Sequence, residues 1–157
     1  MRQHHYHTTV EWTGNEGTGT SAYAAYGRNH MIQAAGKPVI PGSSDPSFRG
    51  DKTRYNPEEL LVASLSSCHM LWYLHLCAVG GIIVTSYIDH AEGVMTETAE
   101  GSGQFKQVIL KPVVTITDPA LAESARALHE EAHKYCFIAR SCNFPVTHEP
   151  ELRIEAQ

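Results

Sequence analysis

Several common signals are missing from this sequence. It has no basic stripe: 12 Lys and Arg stand against 17 Asp and Glu, a formal charge of −5, which argues against a nucleic-acid surface. Met1 to Val10 lacks the apolar run of a signal peptide, so a cytoplasmic protein is expected. The four cysteines are unevenly spaced and include no Cys-x-x-Cys pair, which does not make a secreted disulfide framework. In a reducing compartment such cysteines are buried hydrophobes or working thiols. There is no internal repeat and no low-complexity tract. Hydrophobic content, 42%, is ordinary for a globular protein, and 157 residues predict one domain, 1–157, with its own core.

What is present is organised around Tyr55–Val79. Asn56 suits a helix cap, Pro57 the first helical position and Glu59 the third, the signature of a capping box. From Leu60 to Val79 no charged residue occurs apart from the titratable His69 and His75. A surface helix would show a polar stripe, so a long, central, buried helix is expected, ending at Gly80-Gly81. Its length invites comparison with a membrane span, but it is isolated, carries two histidines and is followed by amphipathic strands; no membrane association is expected.

The rest of the chain reads as an α+β order. Tyr6–Trp12 alternates as a strand, Ser21–Tyr26 as its hairpin partner, and Gly27-Arg28-Asn29 as a turn. Gly36–Tyr55, rich in Pro, Gly, Ser and Asp, is long for a connection and reads as a functional loop. Ile82–Met95 and Phe105–Thr117 read as two long antiparallel strands, with Pro112 marking a bulge or an edge. Asp118-Pro119 opens a second helix whose apolar face is Leu121, Ala125, Leu128, Ala132 and Cys136. Phe137–Val146 reads as irregular and Glu151–Glu155 as a last strand. The expected fold is antiparallel sheet packed around the long central helix and the second, amphipathic one.

Each helix carries a cysteine on its inner face. Cys77 and Cys142 read as packing residues. Cys68 sits among Ala63, Ser64, Ser66 and Ser67, small residues that let a ligand come close. Helix packing can bring Cys68 and Cys136 within disulfide reach, although sequence alone does not show that it does. A zinc site from Cys68, His75, His133 and Cys136 is disfavoured, because Cys68 and His75 lie about 10 Å apart along one helix. A Cys-His hydrolase is disfavoured because His69, next to Cys68 in the chain, points about 100° away from it.

Two segments carry a resemblance. Asn56–His69, N-P-E-E-L-L-V-A-S-L-S-S-C-H, and Ala132–Ile138, A-H-K-Y-C-F-I, together resemble the OsmC/Ohr superfamily, the osmotically inducible and organic hydroperoxide resistance proteins. An N-P-E-x-L motif opens that family's central helix, with a cysteine ten residues after its first Glu; Glu58 and Cys68 match. The second family cysteine ends the second helix, where Cys136 stands. Phe137 departs from the proline common after it.

The resemblance implies a cofactor-free, metal-free, thiol-dependent peroxidase for organic hydroperoxides. Cys68 would be the peroxidatic cysteine and Cys136 the resolving one, with an external dithiol, such as a lipoyl protein, as reductant. It implies an arginine beside the thiol, aimed by Glu58: Arg28 in the Gly27-Arg28-Asn29 turn, or Arg49 as second choice. It also implies an intertwined homodimer. The alternative is a member of the same superfamily whose thiols do not turn over and that serves as a binding or assembly module.

The physical need for an arginine stands by itself. A free thiol is only about 3% thiolate at neutral pH, and burial lowers that fraction. A guanidinium donating to sulfur opposes this, whereas a lone carboxylate pushes the wrong way. Glu58 and Cys68 are separated by ten helical residues, about 15 Å of rise. Both serve one site only if the helix breaks near Ser64–Ser67 or if two chains contribute.

Overall fold

A computed structural model describes residues 1–156. The chain forms two compact units, Met1–Leu60 and the remainder from Leu61 on, and the boundary falls in the first turn of the long helix.

In the first unit three short strands make an antiparallel sheet in the order β1 (Thr9–Trp12), β2 (His30–Gln33), β3 (Ile40–Gly42). The partner of β1 is therefore β2, with Thr9 opposite Gln33 and Trp12 opposite His30, and not the expected Ser21–Tyr26. That segment, Ser-Ala-Tyr-Ala-Ala-Tyr, forms turns, with the Ala25 amide on the Ala22 carbonyl at 3.0 Å. Its alanines bring little strand preference, and its tyrosines are used locally, as described below. The excursion is pinched at its base, where Gly27 N–H donates to Gly14 O at 2.8 Å and Trp12 Nε1 donates to Gly27 O at 2.8 Å. A Cβ on Gly14 would lie 1.9 Å from that same carbonyl oxygen, so only glycine fits there.

Gly36–Tyr55, read as an irregular loop, contributes β3 and a 3₁₀ turn at Pro46–Phe48. Asp45 caps the turn by accepting from the Ser47 amide at 2.7 Å. Arg49 closes it in the left-handed region, φ 64°, a conformation uncommon outside glycine. Asn56 and Glu59 then form the expected reciprocal box: Glu59 N–H donates to Asn56 Oδ1 at 2.8 Å, and Asn56 N–H to Glu59 Oε1 at 3.2 Å.

Helix α1 runs unbroken over Pro57–Val79, so there is no break at Ser64–Ser67. Within the single chain its burial is one-sided. Leu65, His69, Tyr73 and Cys77, spaced by four, form a fully covered stripe, while Leu71 is 63% and Val79 75% exposed on the other side. By length and hydropathy alone α1 would pass for a membrane span.

Beyond α1, each of the two expected long strands divides in two. Ile82–Met95 yields β4 (Val84–Asp89) and β5 (Glu92–Glu97), and the returning segment yields β6 (Gly103–Leu110) and β7 (Pro112–Ile116). Pro112 has no N–H for the ladder and opens β7 as its first residue. The break is held by Asp89, whose Oδ1 accepts from the Lys111 amide at 2.7 Å and whose Oδ2 accepts from Ser66 Oγ at 2.5 Å. After the Asp118-capped 3₁₀ turn Pro119–Leu121 come α2 (Ala122–Tyr135) and a one-turn α3 (Phe137–Arg140) in the stretch expected to be irregular. The last strands, β8 (Val146–His148) and β9 (Glu151–Ile154), join in parallel, β8 on β6 and β9 on β7. The long pairings are antiparallel as expected; these two short edge pairings are not.

Two three-stranded sheets result, β4-β7-β9 and β5-β6-β8, and each packs on a different length of α1. Leu65 shares a core with Val108, Leu110 and Val146; Tyr73 and Cys77 share another with Ile82, Val114, Ile116, Ala125 and Ala132. The architecture is α+β.

Candidate active site

The two cysteines singled out by the helix patterns are brought together. Cys68 is half-buried at mid-length of α1, and Cys136 is 1% exposed at the junction of α2 and α3. Cys68 and Cys136 are neighbours across the two helices, near enough for the Cys68 thiol to raise the pKa of Cys136. Both are free thiols. Burial pushes Cys136 up to about 11, the Ala139 amide, donating to its sulfur at 3.5 Å, pulls the other way, and Cys68 adds a smaller upward push.

Cys136 reaches this position because α2 ends there. Its backbone turns extended, φ −65° and ψ 107°, and its sulfur serves as the N-cap acceptor of α3. Cys77 is buried beside Tyr73 and is driven up by desolvation, as a packing thiol should be. Cys142 is half-buried against the Leu65 cluster, and burial likewise raises its pKa.

Beside the thiols lies a feature the sequence patterns did not single out. His69 and His129 are 1% and 2% exposed, and His69 Nε2 meets His129 Nδ1 at 3.0 Å. The rings are nearly parallel, 3° apart, with centroids 5.3 Å apart. Tyr73 stacks on His129 at 3.9 Å and donates its hydroxyl to Ala125 O at 3.0 Å. His148 from β8 stands 5.6 Å from His69 and 6.0 Å from His129, with His133 beyond it. Burial, with the neighbouring histidines, lowers His69 to about 4 and His129 to about 3, so both are neutral at ordinary pH. The signal for His129 was available: it lies four after Ala125 and three before Ala132, on the apolar face of α2. Among the described residues no group of three or more His, Cys, Asp or Glu is arranged to hold a metal ion.

The other expected residues belong to the first unit. Arg28 is held by its own loop: it donates to Tyr26 O, donates to Tyr23 O at 2.6 Å, and stacks its guanidinium 3.8 Å over Tyr26 and 4.7 Å over Tyr23. Arg49 approaches the same Tyr23 ring, at 6.0 Å. The two candidate arginines thus converge on one tyrosine. Glu58 Oε2 is buried and, among the described residues, has no hydrogen-bond partner, a costly state for a carboxylate oxygen.

On the outer side of α1, Trp72 stacks on Tyr135 at 5.1 Å and meets Phe137 edge-on at 5.7 Å. Leu71, Trp72 and His75 line a shallow apolar recess of about 240 Å³ one turn beyond Cys68.

Residues 50–151 match the model of the OsmC-like protein family. An OsmC-like protein of unknown function from Vibrio cholerae superposes with a TM-score of 0.82 at 29% identity, over 94% of this chain and 99% of that one. An organic hydroperoxide resistance protein from Legionella pneumophila gives 0.66 at 16% identity, covering 98% and 99%. The organic hydroperoxide resistance protein of Bacillus subtilis gives 0.62 at 18%, covering 96% and 98%. The latter two likenesses concern the fold alone. No curated protein matches the chain.

Proposed function

The chain belongs to the OsmC-like protein family, and we propose that it acts in hydroperoxide resistance as a two-cysteine peroxidase. The observation that carries the reading is that Cys68 on α1 and Cys136 at the end of α2 are neighbours and both free thiols. In the first step the Cys68 thiolate attacks the terminal peroxide oxygen. The O–O bond breaks, the alkoxide takes a proton and leaves as the alcohol, and Cys68 becomes a sulfenic acid. In the second, Cys136 attacks that sulfur, hydroxide leaves with the Cys136 proton as water, and a disulfide closes. A dithiol, such as a dihydrolipoyl group, then reduces it by exchange. Assigning attack to Cys68 follows from its partial exposure, against a Cys136 that is buried and whose pKa burial pushes up. The apolar recess formed by Leu71, Trp72 and His75 favours an alkyl or aryl hydroperoxide over hydrogen peroxide.

Activation of Cys68 is assigned to Arg28, with Arg49 beside it, and Glu58 is the carboxylate that aims the guanidinium. The buried Glu58 Oε2, without a hydrogen-bond partner among the described residues, supports that role, since a guanidinium would satisfy it. Since α1 is unbroken, the proposed working form is a homodimer in which a second chain completes the site; the exposed Leu71, Val79 and Phe137 are the surface such a dimer would cover. The proposed setting is the cytoplasm, without cofactor, metal, nucleic acid or membrane.

Consumption of cumene hydroperoxide in the presence of dihydrolipoamide tests the reading. Turnover that vanishes in Cys68→Ser supports it. Absence of turnover with any dithiol, while the thiols stay reduced, would favour a non-catalytic binding module.

A further inference from the structure

The contacts between α1 and α2 occur in reverse order along the two helices. His69 faces His129 and Tyr73 faces Ala125, so the helices run antiparallel with these two pairs in one register; Cys68 adjoins His69 in the chain, and Cys136 stands where α2 ends, seven residues beyond His129. The polar pairs in that register are directional. A histidine–histidine hydrogen bond fixes both the separation of the ring nitrogens and the orientation of the rings, whereas apolar packing tolerates sliding. It needs one ring to donate and the other to accept, which two neutral imidazoles satisfy. The pair is sealed by Tyr73 against one ring face, and His69 adjoins Cys68 in the chain.

We propose that the His69–His129 hydrogen bond, with the Tyr73–Ala125 bond one turn further along, is a positioning clamp that holds Cys68 and Cys136 at the separation needed for disulfide closure. His69, His129 and Tyr73 are positioning residues; they touch neither substrate nor the reacting oxygen. The clamp rests on the two-cysteine reading above for its role in turnover, but its effect on the thiol pair is independent of peroxide chemistry. A misplacement of about 1 Å in a reacting pair is worth up to about a hundredfold in rate, so loss of the clamp should be visible in the closing step alone.

The test separates that step from the first. The protein is treated with one equivalent of cumene hydroperoxide in the presence of dimedone, which traps sulfenic acid, and mass spectrometry reads the ratio of Cys68–Cys136 disulfide to Cys68 adduct. The wild type should close mainly to disulfide. His129→Leu should shift the ratio toward the adduct at least tenfold without slowing total oxidation of Cys68. His129→Asn, whose amide can replace the Nδ1 contact, should recover most of the wild-type ratio. Tyr73→Phe removes a single hydrogen bond, should shift the ratio about threefold, and carries the test if His129→Leu does not fold. A purely structural role would change melting temperature and leave the ratio alone. Diamide forms the second arm: it oxidises two thiols to a disulfide, is itself reduced to the hydrazine, and needs no peroxidase. The same order of variants with diamide, in a protein inert to hydroperoxide, would keep the clamp and discard the peroxidase. Equal closure rates for wild type, His129→Leu and Tyr73→Phe with diamide would overturn the clamp whatever hydroperoxide does.

Discussion

Lowering the pH from 7.5 to 5 should destabilise this protein steeply, and the cause is the buried pair His69 and His129. In the unfolded chain a histidine titrates near 6.5. In the folded protein burial, with His148 on β8 and His133 on α2, holds His69 at about 4, and burial, with His69 and His148, holds His129 at about 3. Glu130, 3.6 Å from His148, is the facing carboxylate and acts on His148 rather than on the pair. Because both folded values are depressed, the unfolded state binds more protons below pH 6.5, so stability is complete above 6.5 and is lost as the pH falls toward 4. At pH 5 each histidine costs about 2 kcal/mol, about 4 kcal/mol together, with a slope of about 2.5 kcal/mol per pH unit. Against a typical total of about 5–15 kcal/mol, that is a large share. Carboxylates held low in the folded state, Asp45, Asp51 and Glu92, act mainly below about pH 4.5 and leave this window to the histidines. Urea denaturation at fixed protein concentration between pH 7.5 and 5 measures the effect. An unfolding midpoint unchanged from pH 7 to 5 would refute the reasoning, as would a His129→Asn variant that keeps the whole acid slope.

Other outcomes follow from the same contacts. Cys136→Ser should leave Cys68 as a long-lived sulfenic acid detectable as a dimedone adduct; if an intramolecular disulfide still forms, Cys142 is the closing thiol. In the role proposed for Arg28, a charge-assisted hydrogen bond to the thiolate, Arg28→Ala should slow the first oxidation of Cys68 by about ten- to a hundredfold; an unchanged rate in that variant together with a slowed Arg49→Ala would transfer the role. Leu65→Ala, at the fully covered contact of α1 with Val108, Leu110 and Val146, should cost about 2–5 kcal/mol in denaturant unfolding.

The parts of the fold legible in the sequence are those encoded locally. Asn56, Pro57 and Glu59 announce the start of α1, and the box they form is present atom for atom. The periodicity of α2 places Ala125, Ala132 and Cys136 inward, as observed. Legibility fails where a long-range contact decides. Tyr23 and Tyr26 read as strand residues but are drawn into stacking with Arg28, while β1 pairs with the more distant His30–Gln33. The division of each long strand depends on Asp89 reaching both Ser66 and Lys111, which no local pattern encodes. The outer face of α1 reads as core from its composition, yet Leu71 and Val79 stand exposed in the single chain, because composition does not say which side of an apolar helix is covered. The thiol pair was legible only as two inward-facing cysteines on separate helices. Its histidine clamp was not, since a histidine on an apolar face shows no partner until the helices are packed.

The central claim is that Cys68 and Cys136 form a working pair, and intact-mass analysis after one equivalent of cumene hydroperoxide tests it most directly. Loss of two hydrogens within the mixing time is expected, with peptide mapping joining Cys68 to Cys136. Thiols that remain reduced, or a Cys68 that gains two or three oxygens while Cys136 stays free, would contradict it.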